Sequence, residues 1–261
     1  SKAYKAPVSS YFFITTPSAT PPVTSRVNAD LKPEIGNQFE IGTKGNLLND
    51  KITYQVALFD AMFTNKFTTI AVPYNSTTTL YSYVVNGGKQ DNKGLEALVK
   101  YTAYQSPAGF LKSITPFANL TYSDFKYKDY RFHTIVNNTK DSTIDYSNKA
   151  VAGVARFVGN VGFDLLTRPG IYANVNYFYK DGMPITSDGL LNTGSYSLLN
   201  AKLGFQRSLS THFDLDVYAG VNNITNTKYP IMVFINQIPD AYIAAPRNAN
   251  VYGGLNVKYN F

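Results

Sequence analysis

The sequence predicts an all-β protein: a transmembrane, antiparallel, up-and-down β-barrel. Three observations carry this expectation. Apolar and polar residues alternate in segment after segment, several of them about ten residues or longer, where soluble strands run to about five or six. The connections between the segments alternate strictly between short and long, as in outer-membrane barrels. Charged residues are only 16% of the 261, against roughly 25% in a soluble domain, and no apolar run approaches the roughly 20 residues of a spanning helix.

The elements follow in order. Ser1–Tyr4 (SKAY) is an ascending stub. The long connection Lys5–Gly36 leads into a strand that ends at the tight turn Gly45–Asp50 (GNLLND). Ile52, Tyr54, Val56 and Leu58 then alternate with Thr53, Gln55 and Ala57. Beyond the long connection Thr64–Thr78, Thr79–Tyr104 reads as one strand, because Tyr81, Tyr83 and Val85 share the phase of Leu95, Ala97, Val99 and Tyr101. Asn86–Gly88 (NGG) is then a bulge or bend within it. The turn Gln105–Phe110 (QSPAGF) precedes a strand with Ile114, Ala118, Leu120 and Tyr122 on one face. After the long connection Lys126–Ala150 comes the row Phe157, Gly159, Val161, Phe163 and Leu165. The turn Thr167–Gly170 (TRPG) joins it to the row Ile171, Ala173, Val175, Tyr177 and Tyr179. The long connection Asp181–Ser195 leads to Leu199, Ala201, Leu203 and Phe205, and the turn Ser208–Thr211 (SLST) to Phe213, Leu215, Val217, Ala219 and Val221. The long connection Lys228–Ala249 precedes the last strand, where Val251, Gly253, Leu255, Val257, Tyr259 and Phe261 form one row.

Successive strand side chains point to opposite faces. Lipid suits the apolar rows, and water or a plug suits the rows of Asn, Thr, Ser and Gly; a soluble sandwich would carry more charge there. Short turns belong to the periplasmic rim, so the last strand runs down and Phe261 sits at that rim. The count is nine full strands and the stub. The stub looks cut, and raw sheet edges are not viable in lipid. Further strands are therefore expected before Ser1 or in a second chain.

With no cysteine there is no disulfide and no Cys-ligated metal. The net charge of +7 comes from scattered Lys and Arg, without the basic stripe of a nucleic-acid binder. Most of the 21 Tyr and 17 Phe suit the aromatic girdles at the two membrane interfaces.

Several stretches resemble the barrel of TonB-dependent outer-membrane receptors. Leu31–Gly45 (LKPEIGNQFEIGTKG) resembles the family's L-K-P-E…E-x-G-x-K-G segment, and Ala57–Phe67 (ALFDAMFTNKF) the A-x-F strand after it. Val85–Tyr101 (VNGGKQDNKGLEALVKY) is similar to the N-x-G…G-[VL]-E strand, and Ala219–Pro230 (AGVNNITNTKYP) to the near-terminal N-N-x-x-[ND]-x-x-Y segment. Lys258–Phe261 (KYNF) resembles the terminal signal read by the outer-membrane insertion machinery, carried by Val257, Tyr259 and Phe261. The resemblance implies a barrel of about 22 strands, a size found in plugged transporters. Residues 1–261 would be the C-terminal part of it, about ten strands, with the N-terminal plug domain, the energy-coupling box and the first strands absent from this sequence.

The function so implied is energised import of a scarce, large nutrient, most readily a ferric siderophore or other iron complex. The implied partners are that ligand, the TonB energy-transducing complex acting through the plug, outer-membrane lipid and lipopolysaccharide, and a possible lipoprotein or second fragment completing the barrel. The implied place is the outer membrane of a Gram-negative bacterium. Candidate ligand contacts lie in the outer connections: Lys128, Tyr130, Arg131, His133, Tyr229, Phe234, Tyr242 and Arg247, with Tyr127 and Phe132 beside them. Lys126–His133 (KYKDYRFH) is the densest such run. Its cations suit an anionic chelate through charge-assisted hydrogen bonds, or lipopolysaccharide phosphates, or plain solvent. His133 and His212 fall on opposite rims and cannot share a metal; no nucleophile motif accompanies them, so no enzyme, cofactor or metal is expected. Two other readings stand beside the receptor: a self-contained passive porin, and a soluble β-rich adhesin or lectin.

Overall fold

The computed structural model describes residues 1–14, 26–27, 29–73, 79–136, 140–235, 242–246 and 248–260. Ten strands form one antiparallel meander: β1 (Lys2–Lys5), β2 (Glu34–Leu47), β3 (Ile52–Thr64), β4 (Lys89–Tyr101), β5 (Leu111–Lys128), β6 (Phe157–Thr167), β7 (Ile171–Lys180), β8 (Tyr196–Ser208), β9 (Phe213–Asn222) and β10 (Asn250–Tyr259). Each pairs with its neighbours in sequence, from β1 at one end to β10 at the other. Tyr104–Gln105 adds a short pairing at the foot of β5. From β2 onward every strand has at least 10 residues, enough to cross a bilayer at the usual barrel tilt. The expected stub and nine strands are present.

Register shows why alternation was readable. Residues paired across strands share a face. Ile41, Leu58, Leu95, Tyr122 and Phe157 lie in one row across five strands. Two rungs below, Tyr54, Val99, Ala118, Val161, Tyr177 and Leu199 form another. Large apolar side chains on this face lie bare: Leu58 is 53% exposed, Leu203 60% and Leu255 64%. This is the outward, lipid-facing surface.

The opposite face is polar and wired laterally. Asn174 donates to Asp164 (2.7 Å), Asn176 to Asn174 (3.2 Å) and Asn200 to Asn176 (3.0 Å), and the Asn223 amide donates to Asn200 (2.9 Å). Here, too, the Lys202 ammonium lies over the Tyr218 and Tyr172 rings, at 4.0 and 5.3 Å. The Tyr172 hydroxyl donates to Asp216 (2.8 Å). Its ring covers Gly204, where a methyl group would fall 2.3 Å from it.

Short and long connections alternate as expected. The tight ones span 48–51, 102–110, 168–170 and 209–212. In the first, Asn49 and Asp50 have φ of 53° and 64°, the left-handed pair that a type I′ turn requires. The long connections depart from the expectation of plain loops. Among the described residues, four contain paired antiparallel strands: Phe13–Ile14 with Arg26–Val27, Phe67–Pro73 with Thr79–Asn86, Arg131–Val136 with Lys140–Asp145, and Pro230–Val233 with Tyr242–Ala244. Their β-branched and aromatic residues sustain pairing above the wall.

At Asn86–Gly88 the strand bends and contains no bulge. Phe63 faces Gln90 and Phe67 faces Asn86, four residues along on each strand, so none is extra. Asn65, Gly88 and Asp129, adjacent on three neighbouring chain segments, have φ of 55°, 98° and 50°. A methyl group on Gly88 would lie 2.0 Å from the Asp129 carbonyl oxygen, so glycine is required there. Side chains fasten this bend line. Lys66 pairs with Glu34 at 2.7 Å, and the Phe67 amide donates to the same carboxylate at 3.2 Å. The Asn86 amide group donates to the Lys32 and Asn65 carbonyls.

Candidate ligand-facing outer rim

β5 is the tallest strand, 18 residues, and it carries the outer rim. Above the apolar rows its even-numbered residues are Asp124, Lys126 and Lys128, while Phe125 and Tyr127 take the other face. Segment 150–156 continues the ladder beside it, through bonds from the Val151 amide to the Phe125 carbonyl and from the Ser123 amide to the Arg156 carbonyl. Segment 183–187 then covers Tyr127, Val151 and Ala152: the Gly153 amide donates to the Pro184 carbonyl, and the Tyr127 and Ser187 hydroxyls lie 3.1 Å apart.

The result is a small aromatic core at the rim. Tyr127, Tyr130 and Val151 are buried, with Phe125, Tyr146 and Val154 against them. The Tyr127 and Tyr130 rings are 4.3 Å apart, and Tyr146 stacks on Tyr130 at 6.0 Å. The Tyr130 hydroxyl donates to Thr68 in the neighbouring hairpin at 2.5 Å. Burial pushes the Tyr130 phenol up to about 12. Tyr130 was expected among the ligand contacts. At 2% exposure it is instead the residue that locks two hairpins together.

The charged residues stand outside this core. Arg131 pairs with Asp145 at 2.9 Å across the hairpin. Hydrogen bonds from Ser147, and then Arg131, bring the Asp145 carboxyl down to about 2. Lys128 donates to the Asn148 side chain at 3.1 Å. Lys149 donates to the Asp188 carbonyl at 2.7 Å and lies over Tyr146. Between β5, the 150–156 segment and the start of the β7–β8 connection lies a cleft lined by Asp124, Phe125, Val154, Arg156, Asp181 and Pro184. It pairs a guanidinium and two carboxylates with an apolar floor, a lining suited to a polar ligand with an apolar body.

The other candidates scatter. Tyr229 stacks on Tyr196 at 4.9 Å, in the β9–β10 connection, and Phe234 is half-buried there. His133 pairs with Thr143, and Tyr242 with Val233, along the backbone. Arg247 and Phe261 lie outside the described residues. Val257 and Tyr259 sit on β10 opposite Leu215 and Phe213, exposed on the outward face. His212, at the short turn, approaches the Asn260 carbonyl at 3.0 Å, on the rim opposite His133. The sequence reading passed over Arg156 and Asp181 as cleft residues. Only the pairing of 150–156 with β5 brings them together, and nothing periodic in that stretch announces it.

Residues 1–224 match the protein family described as TonB dependent receptor-like, beta-barrel. A comparison with the curated proteins finds no match. Among solved structures, the copper transporter OprC superposes with a TM-score of 0.67 at 12% identity, over 99% of this chain and 36% of its own. The ferric citrate transporter FecA, in its unliganded form, gives 0.64 at 17% identity, over 87% and 32%. The siderophore receptor PiuA from Acinetobacter baumannii gives 0.62 at 15%, over 90% and 30%. At such identities the likeness is one of fold. The chain spans about a third of the length of these structures.

Proposed function

The chain belongs to the TonB dependent receptor-like β-barrel family, and from that premise we propose that it helps to import an iron complex, most readily a ferric siderophore, across a Gram-negative outer membrane with energy from the TonB system. The family and the structures it resembles are receptors and transporters, not enzymes. The observation that carries the reading is the two-sided wall, bare apolar rows outside and a hydrogen-bonded Asn and Asp ladder inside. Such a wall suits a polar interior that holds a plug and passes a solute. FecA and PiuA are named for ferric citrate and for a siderophore, OprC for copper; iron chelates are the commoner cargo among these names.

In this reading Lys128 and Arg131 meet an anionic chelate at the rim, with Tyr229, Phe234, His133, Tyr242 and Arg247 around the mouth, while Tyr130 holds the hairpins that present them. Val257, Tyr259 and Phe261 serve as the insertion signal. The test is uptake of a radiolabelled ferric chelate by cells with and without the gene. Expected is uptake that stops on deletion and also when the inner-membrane energy source is collapsed. Uptake indifferent to that energy would favour the porin reading, as would steady conductance of the purified protein in planar bilayers.

A further inference from the structure

At the short-turn rim, far from the outer mouth, one corner carries positive charge that the protein itself leaves unanswered. The turns 48–51, 102–110 and 168–170 lie there at the feet of β2 to β7. Backbone bonds tie them together. The Thr102 amide donates to the Lys51 carbonyl (2.7 Å), the Ser106 amide to the Lys112 carbonyl (3.0 Å) and the Arg168 amide to the Phe110 carbonyl (2.9 Å). The Arg168 guanidinium also donates to the Ser106 carbonyl at 2.6 Å, which fixes its place. Between these segments lies a cavity of about 580 Å³, lined by Lys51, Lys112 and Arg168 with Thr102, Tyr104 and Gln105. That volume is in the range of small-molecule sites.

No carboxylate lines the cavity. Among the described residues, none of its three cations is in a salt bridge. The far end of the same rim is built differently: there Lys258 faces Asp214 in register, and Asp214 accepts from Ser208 and Asn260. Three like charges around one cavity repel one another, and an anion between them would turn that repulsion into attraction.

We propose that this cavity is a phosphate-binding site, taking a phosphate ester between Lys51, Lys112 and Arg168. Donors converging from three chain segments suit a tetrahedral group with several charged oxygens better than a planar carboxylate with two. The cavity has room for more than the phosphate, and Tyr104, 44% exposed, offers a ring to the rest of the ester. Two sources supply this chemistry: a soluble phosphate ester, or a phospholipid headgroup whose chains continue along the exposed Tyr101 and Val99. The inference goes beyond the import of an iron complex, and only its lipid source rests on the membrane placement proposed above.

The experiment uses the natural full-length protein purified in dodecyl maltoside. Calorimetry compares glycerol 3-phosphate with succinate, a dicarboxylate of equal charge. Native mass spectrometry compares retained phosphatidylglycerol with diacylglycerol. In at least one comparison the phosphate probe should win by about tenfold, as the gain of two charge-assisted hydrogen bonds allows. Lys51→Gln with Lys112→Gln should erase the preference. Lys51→Arg with Lys112→Arg should keep it, as should Lys180→Gln with Lys228→Gln at the other rim. Retained phosphatidylglycerol that glycerol 3-phosphate does not displace assigns the lipid source, and displacement assigns the soluble one; either upholds the site. Succinate bound as well as the phosphate ester with no preference between the lipids, a preference that survives the double Gln variant, or one absent from both the wild type and the Arg pair overturns it.

Discussion

Single residues at the rim hold more than their neighbours in sequence suggest. Glu34 is 5% exposed and has Lys66 as its only charged partner among the described residues. Lys66→Met should therefore cost about 3–5 kcal/mol by stranding a buried charge, read as a lower midpoint in denaturant. Tyr130→Phe, which removes the hydroxyl that bonds Thr68 and keeps the ring, should cost about 1 kcal/mol. The two carboxylate and phenol shifts give opposite pH windows. Asp145 sits near 2 when folded against 3.8 ordinarily. Its contribution is present above pH 4 and is lost as pH falls through 2. Tyr130, near 12 against 10, contributes below pH 10 and loses that contribution as pH rises through 12. Carboxyl NMR for Asp145 and absorbance titration for the phenols check both directions. Neither role was visible beforehand: Tyr130 stands between Asp129 and Arg131 in a polar run, and its partner Thr68 lies 62 residues away.

Strands were the most legible part of the molecule, for a reason the register makes plain. Between Leu95 and Tyr101, and between Ile114 and Tyr122, one face meets a continuous apolar medium, so alternation is clean. Above Lys93 and Asp124 both faces meet polar surroundings and other hairpins, and the period of two loses its contrast. That is why Arg131–Val136 and Lys140–Asp145 read as loop. The Asn86–Gly88 stretch was legible as a special site, but its geometry was not, because a bend and a bulge use the same glycine. The same logic grades substitutions along β4. Val99→Lys, in the middle of the apolar rows, should weaken insertion by about 2–4 kcal/mol, whereas Lys93→Gln should change it little. Urea titration of folding into lipid vesicles separates these.

For the molecule as a whole, the expected alternation of short and long connections holds along the ten-strand path. The cleft between Asp124, Arg156 and Asp181 was out of reach, since it depends on an irregular segment lying down beside β5. The strand meander makes one global prediction. Labels at Leu203, Val217 and Val257 should be quenched from the lipid phase, while labels at Asn174 and Asn200 should not. The reverse pattern, or packing of the first set against a second sheet, would return the soluble reading to favour.

Asn65, Gly88 and Asp129 bend three neighbouring segments at one height. Below that level lie the long strands of the wall, and above it the hairpins of the long connections. Insertions, deletions or wholesale exchange of the hairpins beyond this seam can thus accumulate without disturbing how the wall assembles. A lineage pressed by phage or antibody could re-tailor its exterior while the transmembrane scaffold stays untouched.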